Sequence, residues 1–408
     1  MQKGYRLAPE PLHRPCVAHN LQSHRCAVRA AAARDRPYYN NSPQHSSGFL
    51  LSKEANKELL ASKTVAELKV AFESNADYHD NISIATTWVR LGRLVRSGNR
   101  RQGQAFARDI MGKTLSYISN KMDVRQLANV VWGVGQLGLD LGEEKLGPYL
   151  VHQLEERAQE LFSRTSTADP DISQLCFGVS IQPRAWSQDF LERLVEWTVQ
   201  SLDGEDCRLV CDACKGIAKL AINRGIRLNE QQRGRLASMV ESVVDPDGDE
   251  YMAESVPGLL FGAATLQLPL APETVRQLHD LAVSMPLPLA RRKGGINVAG
   301  CLFRCTQLGY QPDSTQVQLW AQRLLDDALG PGKGSREDAF GWTVHALSTC
   351  RNYVPPPELK QRLAAEADKL ARRKDVAKPS QQTRLAVAAR NWKVRLPTPP
   401  GGWPATQV

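Results

Sequence analysis

Three groups of residues carry types and spacings that invite chemistry. Cys207, Cys211 and Cys214 fall at i, i+4 and i+7, so three sulfurs would share one stripe of a helix as soft metal ligands. Structural zinc needs a fourth ligand, usually from paired ligands on short loops, and no further Cys or His lies nearby. The segment aligns with an apolar repeat core, so it reads as packing, and Cys301 and Cys305 read the same way. Gly330-Pro-Gly-Lys-Gly-Ser335 is the second group. It lacks the Gly-x4-Gly-Lys-Ser/Thr spacing and a preceding strand, so it reads as a linker and not a phosphate loop. No metal-binding, nucleophile-base or paired-carboxylate constellation remains. The expectation is a non-enzymatic protein with neither cofactor nor metal.

The third group is cationic. Arg90, Arg93, Arg96, Arg100, Arg101, Arg108 and Lys113 are set against a single acid, Asp109. Arg90 and Arg93 share a helical face, which Arg96 and Arg100 can continue. Such a stripe suits phosphates, because each Lys or Arg contact releases counterions from nucleic acid. Smaller clusters are Arg291-Arg292-Lys293 and Arg372-Arg373-Lys374, each near a repeat junction. The bland alternative for all three is a solvated helix face. The net charge of +9 does not decide between them. Residues 1–50 carry +5 and residues 355–408 carry +7, leaving −3 for residues 51–354. Any affinity for nucleic acid must therefore come from local patches.

The elements that would position these residues are repeats. Leu127-Ala-Asn-Val-Val-Trp-Gly-Val-Gly-Gln-Leu-Gly138 matches residues 256–267 and 298–309 in phase, with weaker copies at 209–220 and 338–347. Anchoring leucines stand at 94, 137, 220, 266, 308 and 347, and a degenerate copy around Phe177-Gly178 fills the gap after Leu137. Each copy is an apolar helix with a central aromatic (Trp88, Trp132, Phe177, Phe261, Phe303, Trp342), a Gly or Pro break, and an amphipathic second helix. Gly133, Gly262 and Gly300 would let helices approach closely. One such pair cannot bury both faces, so neighbours stack. The predicted fold is all-α, an α-solenoid superhelix of about seven degenerate helix-turn-helix repeats of roughly 38–46 residues. Residues 51–79 form a helical cap, 80–377 the array, and 378–408 a partial repeat with a Pro-rich basic tail. No membrane span is expected. The longest uncharged run, Ser255 to Pro272, contains Pro257 and Pro269 and reads as a buried helix.

Residues 1–50 are rich in Arg, His and Ala and nearly free of acid, and they lack a continuous apolar core. They read as a transit peptide followed by a disordered spacer. Cys26-Ala-Val-Arg-Ala-Ala-Ala-Ala33 resembles the cleavage context of green-algal chloroplast transit peptides, which favours the chloroplast, with the mitochondrion as the alternative.

The core at 127–138 resembles the octotricopeptide repeat family, whose units carry a Leu-Ala-Asn-x-x-Trp-Ala-x-Ala-x-Leu-Gly core, and the similar FAST-kinase-like proteins of mitochondria. The resemblance spans residues 80–377, closely only at 127–138. The family's Pro-Pro-x-x-Trp element is not recognisable, and no RAP-type terminal domain follows residue 377. The resemblance implies organellar RNA binding, to mRNA or rRNA, in RNA stability, processing or translation, or within an organelle ribosome beside ribosomal or RNA-processing proteins. By that analogy Asn129, Lys215, Arg304 and His345, on first helices, would meet bases, while the basic clusters above would put Arg90, Arg93, Arg96, Arg100, Arg101, Arg292 and Lys293 on phosphates. A protein-interaction scaffold of armadillo-like type, without RNA affinity, is the alternative.

Overall fold

The computed structural model describes residues 47–95, 98–164, 171–245, 250–284, 298–329, 336–372 and 379–396. Seventeen α-helices and no strand occur among the described residues, which makes the protein an all-α solenoid. Residues 1–50 separate from the rest as their own unit. Almost all of the proposed transit peptide lies outside the described residues, as do Arg96, Arg292, Lys293 and the Gly330–Ser335 loop.

Helices α1 (Ser47–Ala61) and α2 (Val65–Ser74) precede the array. Seven helix pairs follow: α3 (Asn81–Val95) with α4 (Arg100–Lys121), α5 (Val124–Leu137) with α6 (Gly147–Arg164), and α7 (Asp171–Val179) with α8 (Gln188–Ser201). Next come α9 (Cys207–Arg224) with α10 (Glu230–Val243), and α11 (Glu250–Leu266) with α12 (Pro272–Ser284). The last pairs are α13 (Val298–Gln307) with α14 (Ser314–Leu329), and α15 (Arg336–Thr349) with α16 (Pro357–Arg372). A final α17 (Pro379–Asn391) opens an eighth unit. First helices begin at residues 81, 124, 171, 207, 250, 298, 336 and 379, so steps run from 36 to 48 residues.

Local signals start and stop these helices. Asp123 accepts from the Gln126 amide while the Gln126 side chain accepts from the Asp123 amide, a reciprocal cap at the start of α5. Asn229 and Gln232 do the same for α10. Helix α5 ends on Gly138 at φ +61°, a left-handed turn that favours glycine. Pro257 sits inside α11, where it removes one backbone hydrogen bond without ending the helix.

Odd-numbered helices form one layer and even-numbered helices the other. Neighbours in the odd layer pack along much of their length, whereas even-layer neighbours touch sparsely. A layer packed more closely than its partner lies on the inside of a curved array. Glycine makes that closeness possible. A Cβ on Gly133 would stand 2.4 Å from the Trp88 carbonyl oxygen, and one on Gly262 would stand 2.5 Å from Cys214 Cβ. Buried Leu, Val, Ile and Ala from both layers form one continuous core, each large side chain contributing about 1.5–3 kcal/mol. Trp88 is fully buried, and its Nε1–H donates to Thr114 Oγ1 at 2.9 Å, tying α3 to α4.

Candidate nucleic-acid interface

The odd helices turn a recurrent position toward the inner surface. Trp132-Gly133, Phe177-Gly178, Lys215-Gly216 and Phe261-Gly262 occupy equivalent places, with each Gly against the preceding helix. The large residue before each Gly is left half-exposed along the layer. Phe303 and Trp342 continue the row. Trp88 stands off that register, and its ring goes to the core.

A groove of about 460 Å³ runs across α3, α5, α7, α9 and α11. Its floor carries Trp132 and Phe177. Arg93, Arg208 and Lys215 bring positive charge, Asn129 and Gln174 bring amides, and Asp212 and Glu254 bring carboxylates. Asn129 and Gln174 each stand three residues before the aromatic, one helical turn away on the same face. Lys219 Nζ sits 4.6 Å and Lys215 Nζ 5.2 Å from the Phe177 ring centroid, within cation–π range. Lys215 also pairs with Asp212 at 3.1 Å. Burial works against the Lys215 charge, but the Cys211 sulfur and Asp212 carboxylate outweigh it and hold the ammonium above its usual range. Lys219 is pushed the other way, by burial and by the nearby Lys215.

Further along, α13, α15 and α17 bring together Phe303, Arg304, Trp342, His345 and Arg384. The Arg304 guanidinium lies 5.3 Å from the Phe261 centroid and 5.5 Å from that of Phe303, and donates to Gln307 Oε1 at 2.7 Å. Arg384 lies 3.8 Å from the Trp342 centroid. The His345 ring stands 4.5 Å from Phe303 and 6.2 Å from Trp342, and its buried Nδ1 has no hydrogen-bond partner. Burial, then Arg384 and Arg304, push the imidazole down to about 4, so it is neutral near pH 7.

The sequence candidates thus divide. Arg93, Asn129 and Lys215 meet in the groove, and Arg304 and His345 meet in the second cluster. Arg90 does not join them: its guanidinium donates twice to the Ser62 carbonyl, just past the C-terminus of α1. Arg100 does not continue the Arg90–Arg93 face, because α3 ends at Val95 and Arg100 opens α4. Its Nε donates to the Leu137 carbonyl at 3.1 Å, closing the C-terminus of α5. Arg101 is exposed on α4. Of the remaining basic run, Arg108 forms a two-pronged pair with Glu144 at 2.7 and 2.8 Å, and Lys113 donates to the Ala76 carbonyl at 2.9 Å. Gln174, Arg208, Asp212, Lys219, Glu254 and Arg384 were not anticipated. The register of the aromatic-Gly pair, with the residue one turn before it, points to Gln174 and Asp212.

Of the three cysteines, Cys211 lines the groove. Cys211 and Cys214 are buried, and burial raises the Cys211 thiol to about 11. Cys207 packs against Met252, Sγ to Sδ 3.3 Å. Among the described residues no group of three or more His, Cys, Asp or Glu side chains is placed to hold a metal ion. No described helix is long and apolar enough to cross a membrane. No model of a known protein family matches the chain, and no curated protein sequence matches it either.

Proposed function

We propose that the protein binds single-stranded RNA along the inner face of its odd-numbered helices, and that it acts by binding and not by catalysis. One observation carries the reading: a groove in which α5 and α7 each bring an aromatic ring and a side-chain amide, flanked by cations from α3 and α9. Trp132 and Phe177 line the groove as aromatic rings of the kind on which bases stack, a contact worth about 1–3 kcal/mol per base, with Lys215 and Lys219 lying over Phe177. Arg93, Arg208, Lys215 and Lys219 neutralise phosphates. Asn129 and Gln174 offer the donor and acceptor pairs that read base edges. The acid-poor, Arg- and Ala-rich N-terminus and the resemblance of residues 127–138 to octotricopeptide repeats support a setting in organelle RNA metabolism, in the chloroplast or else the mitochondrion. There the chain would serve as a factor for particular transcripts or as an rRNA-holding ribosome component with protein neighbours.

Binding of the chain from residue 47 onward to pooled organelle RNA, followed by fluorescence polarisation across a salt series, tests this. Affinity should fall steeply with salt, and Arg93→Gln with Lys215→Gln should weaken it about tenfold or more. Salt-insensitive or absent binding would sink the RNA reading.

A second reading has its own support. Asp212 and Glu254 place two carboxylates in the same groove, and residues 51–354 carry a net charge of −3. Both suit a basic peptide and a scaffold role. Capture of a basic protein partner that RNase treatment leaves in place, and that Asp212→Asn and Glu254→Gln release, would favour it.

A further inference from the structure

We propose that Asp212 and Lys215 form a guanine-specific site within the groove, one that takes the Watson–Crick edge of a single base. The site rests on the RNA reading for the strand that carries the base, and it ties that reading to one base at one helix.

Helix α9 departs from its neighbours at both groove positions of the repeat. On α5 and α7 the residue before the inner Gly is an aromatic, Trp132 or Phe177, and the residue one turn earlier is an amide, Asn129 or Gln174. On α9 the same two places hold Lys215 and Asp212. An amide can turn either a donor or an acceptor toward a base, so it tolerates several edges. A carboxylate only accepts and an ammonium only donates, so this pair fixes the order of what it meets.

The two groups stand side by side. Lys215 Nζ is 3.1 Å from Asp212 Oδ1, and both side chains stay partly open, Lys215 30% and Asp212 19% exposed. The lysine stem lies against α11: a Cβ on Gly258 would come within 2.8 Å of Lys215 Cδ and 3.1 Å of Cε. Gly258 occupies on α11 the place that Asp212 holds on α9, three residues before Phe261. Its missing side chain leaves the room that the lysine fills.

One ammonium beside one carboxylate carries no net charge. The pair therefore suits an uncharged edge better than a phosphate, and phosphates fall to Arg93, Arg208 and Lys219. Guanine presents, in order, the O6 acceptor, the N1–H donor and the 2-amino donor. Lys215 donates to O6 while the two carboxylate oxygens accept from N1–H and from the amino group, a two-pronged contact. Every base can set one acceptor beside one donor. Guanine alone places a second donor beyond the first, where uracil brings the O2 acceptor against the carboxylate. In a partly dry groove an unmatched polar edge is costly, so the second donor decides.

The test uses the full chain and short oligouridylates in which one central nucleoside is uridine, adenosine, cytidine, guanosine, inosine or xanthosine, followed by fluorescence polarisation. The guanosine probe should bind about tenfold tighter than those with the other natural bases. Inosine, which lacks only the 2-amino group, should lose that advantage. Asp212→Asn should raise the affinity of the all-uridine probe, as a negative charge leaves the groove, and erase the preference for guanosine over inosine. It should also favour xanthosine, whose O2 accepts from the new amide where guanosine brings a second donor. Equal binding of guanosine and inosine probes by the native chain, with salt-sensitive binding of both, would overturn the site and leave the RNA reading standing. A guanosine preference that Asp212→Asn leaves in place would do the same. Free guanosine is added in a second measurement, by saturation-transfer NMR on its H8 proton. A signal stronger than that of inosine, and lost in Asp212→Asn, without binding of any oligonucleotide would keep the site for a free nucleoside or nucleotide and remove the RNA reading. Silence in both measurements would overturn both.

Discussion

The two stretches of the inner face are built from the same helix layer and the same aromatic register, yet they carry different side chains. Across α3 to α11 the groove mixes Arg93, Arg208 and Lys215 with Asp212, Glu254, Asn129 and Gln174. Across α13 to α17 guanidiniums lie over Phe303 and Trp342, and His345 packs against both rings. A mosaic of charges and amides discriminates among ligands, because a wrong ligand leaves a polar group unpaired. One scaffold thus carries two different surfaces, and side-chain identity at a fixed register decides what each presents.

The strongest way to break the contrast is to separate the first helices. Gly133→Ala would force a Cβ to within 2.4 Å of the Trp88 carbonyl, and α3 would have to move away from α5. Expected is a loss of about 3 kcal/mol, read as a lower urea midpoint, with the groove's affinity lost. An unchanged midpoint would mean that the two helices do not need their present distance.

Acid sharpens the contrast from the other end. His345 is held near 4 in the folded chain against about 6.5 when unfolded, so the unfolded state takes up its proton first. The stability this group contributes is complete above pH 6.5 and drains as pH falls toward 4, about 2 kcal/mol of it by pH 5. His79, also buried and lowered to about 4, first by burial and then by Lys113, acts in the same direction from the N-terminal end. His345→Gln should flatten part of the acid dependence of the urea midpoint and leave the His79 share. A pH-independent midpoint in the native chain would contradict both.

A subtler change acts on selectivity alone. Asp212→Asn removes the carboxylate that pairs with Lys215, so RNA affinity should rise several-fold while the spread of affinities among sequences narrows. Competition between homopolymers would show it, and a wider spread would refute the idea that the carboxylate screens ligands. The smallest effect belongs to the outer layer. Glu144→Gln frees Arg108 on the exposed surface and should leave both the unfolding midpoint and RNA binding where they were.

How much of this could be read in the sequence follows from what each feature depends on. The Trp-Gly and Phe-Gly pairs repeat because backbone contact demands Gly, so the array and the face of Asn129, Gln174 and Lys215 are set by local pattern. The arginines are different. Arg90 and Arg93 are three residues apart on one helix, but Arg90 reaches the Ser62 carbonyl of another element while Arg93 lines the groove. Arg100 is only seven residues beyond Arg93 in sequence but begins a new helix and closes the end of α5. Long side chains choose partners that tertiary packing supplies, and a linear pattern does not contain them. Arg384 is illegible in a linear pattern for a related reason: it meets Trp342 only once α17 has stacked on α15.

The backbone contact at Gly133 and its counterpart at Gly262 also have a mechanical meaning. Where main chain already rests on its neighbour, the inner layer cannot be squeezed further, whereas the sparsely touching outer helices leave room to slide. The array is therefore a spring with a hard stop. Under tension from a bound strand it can uncoil, but it cannot tighten past its resting pitch, and that stop fixes the shortest ligand spacing it can match.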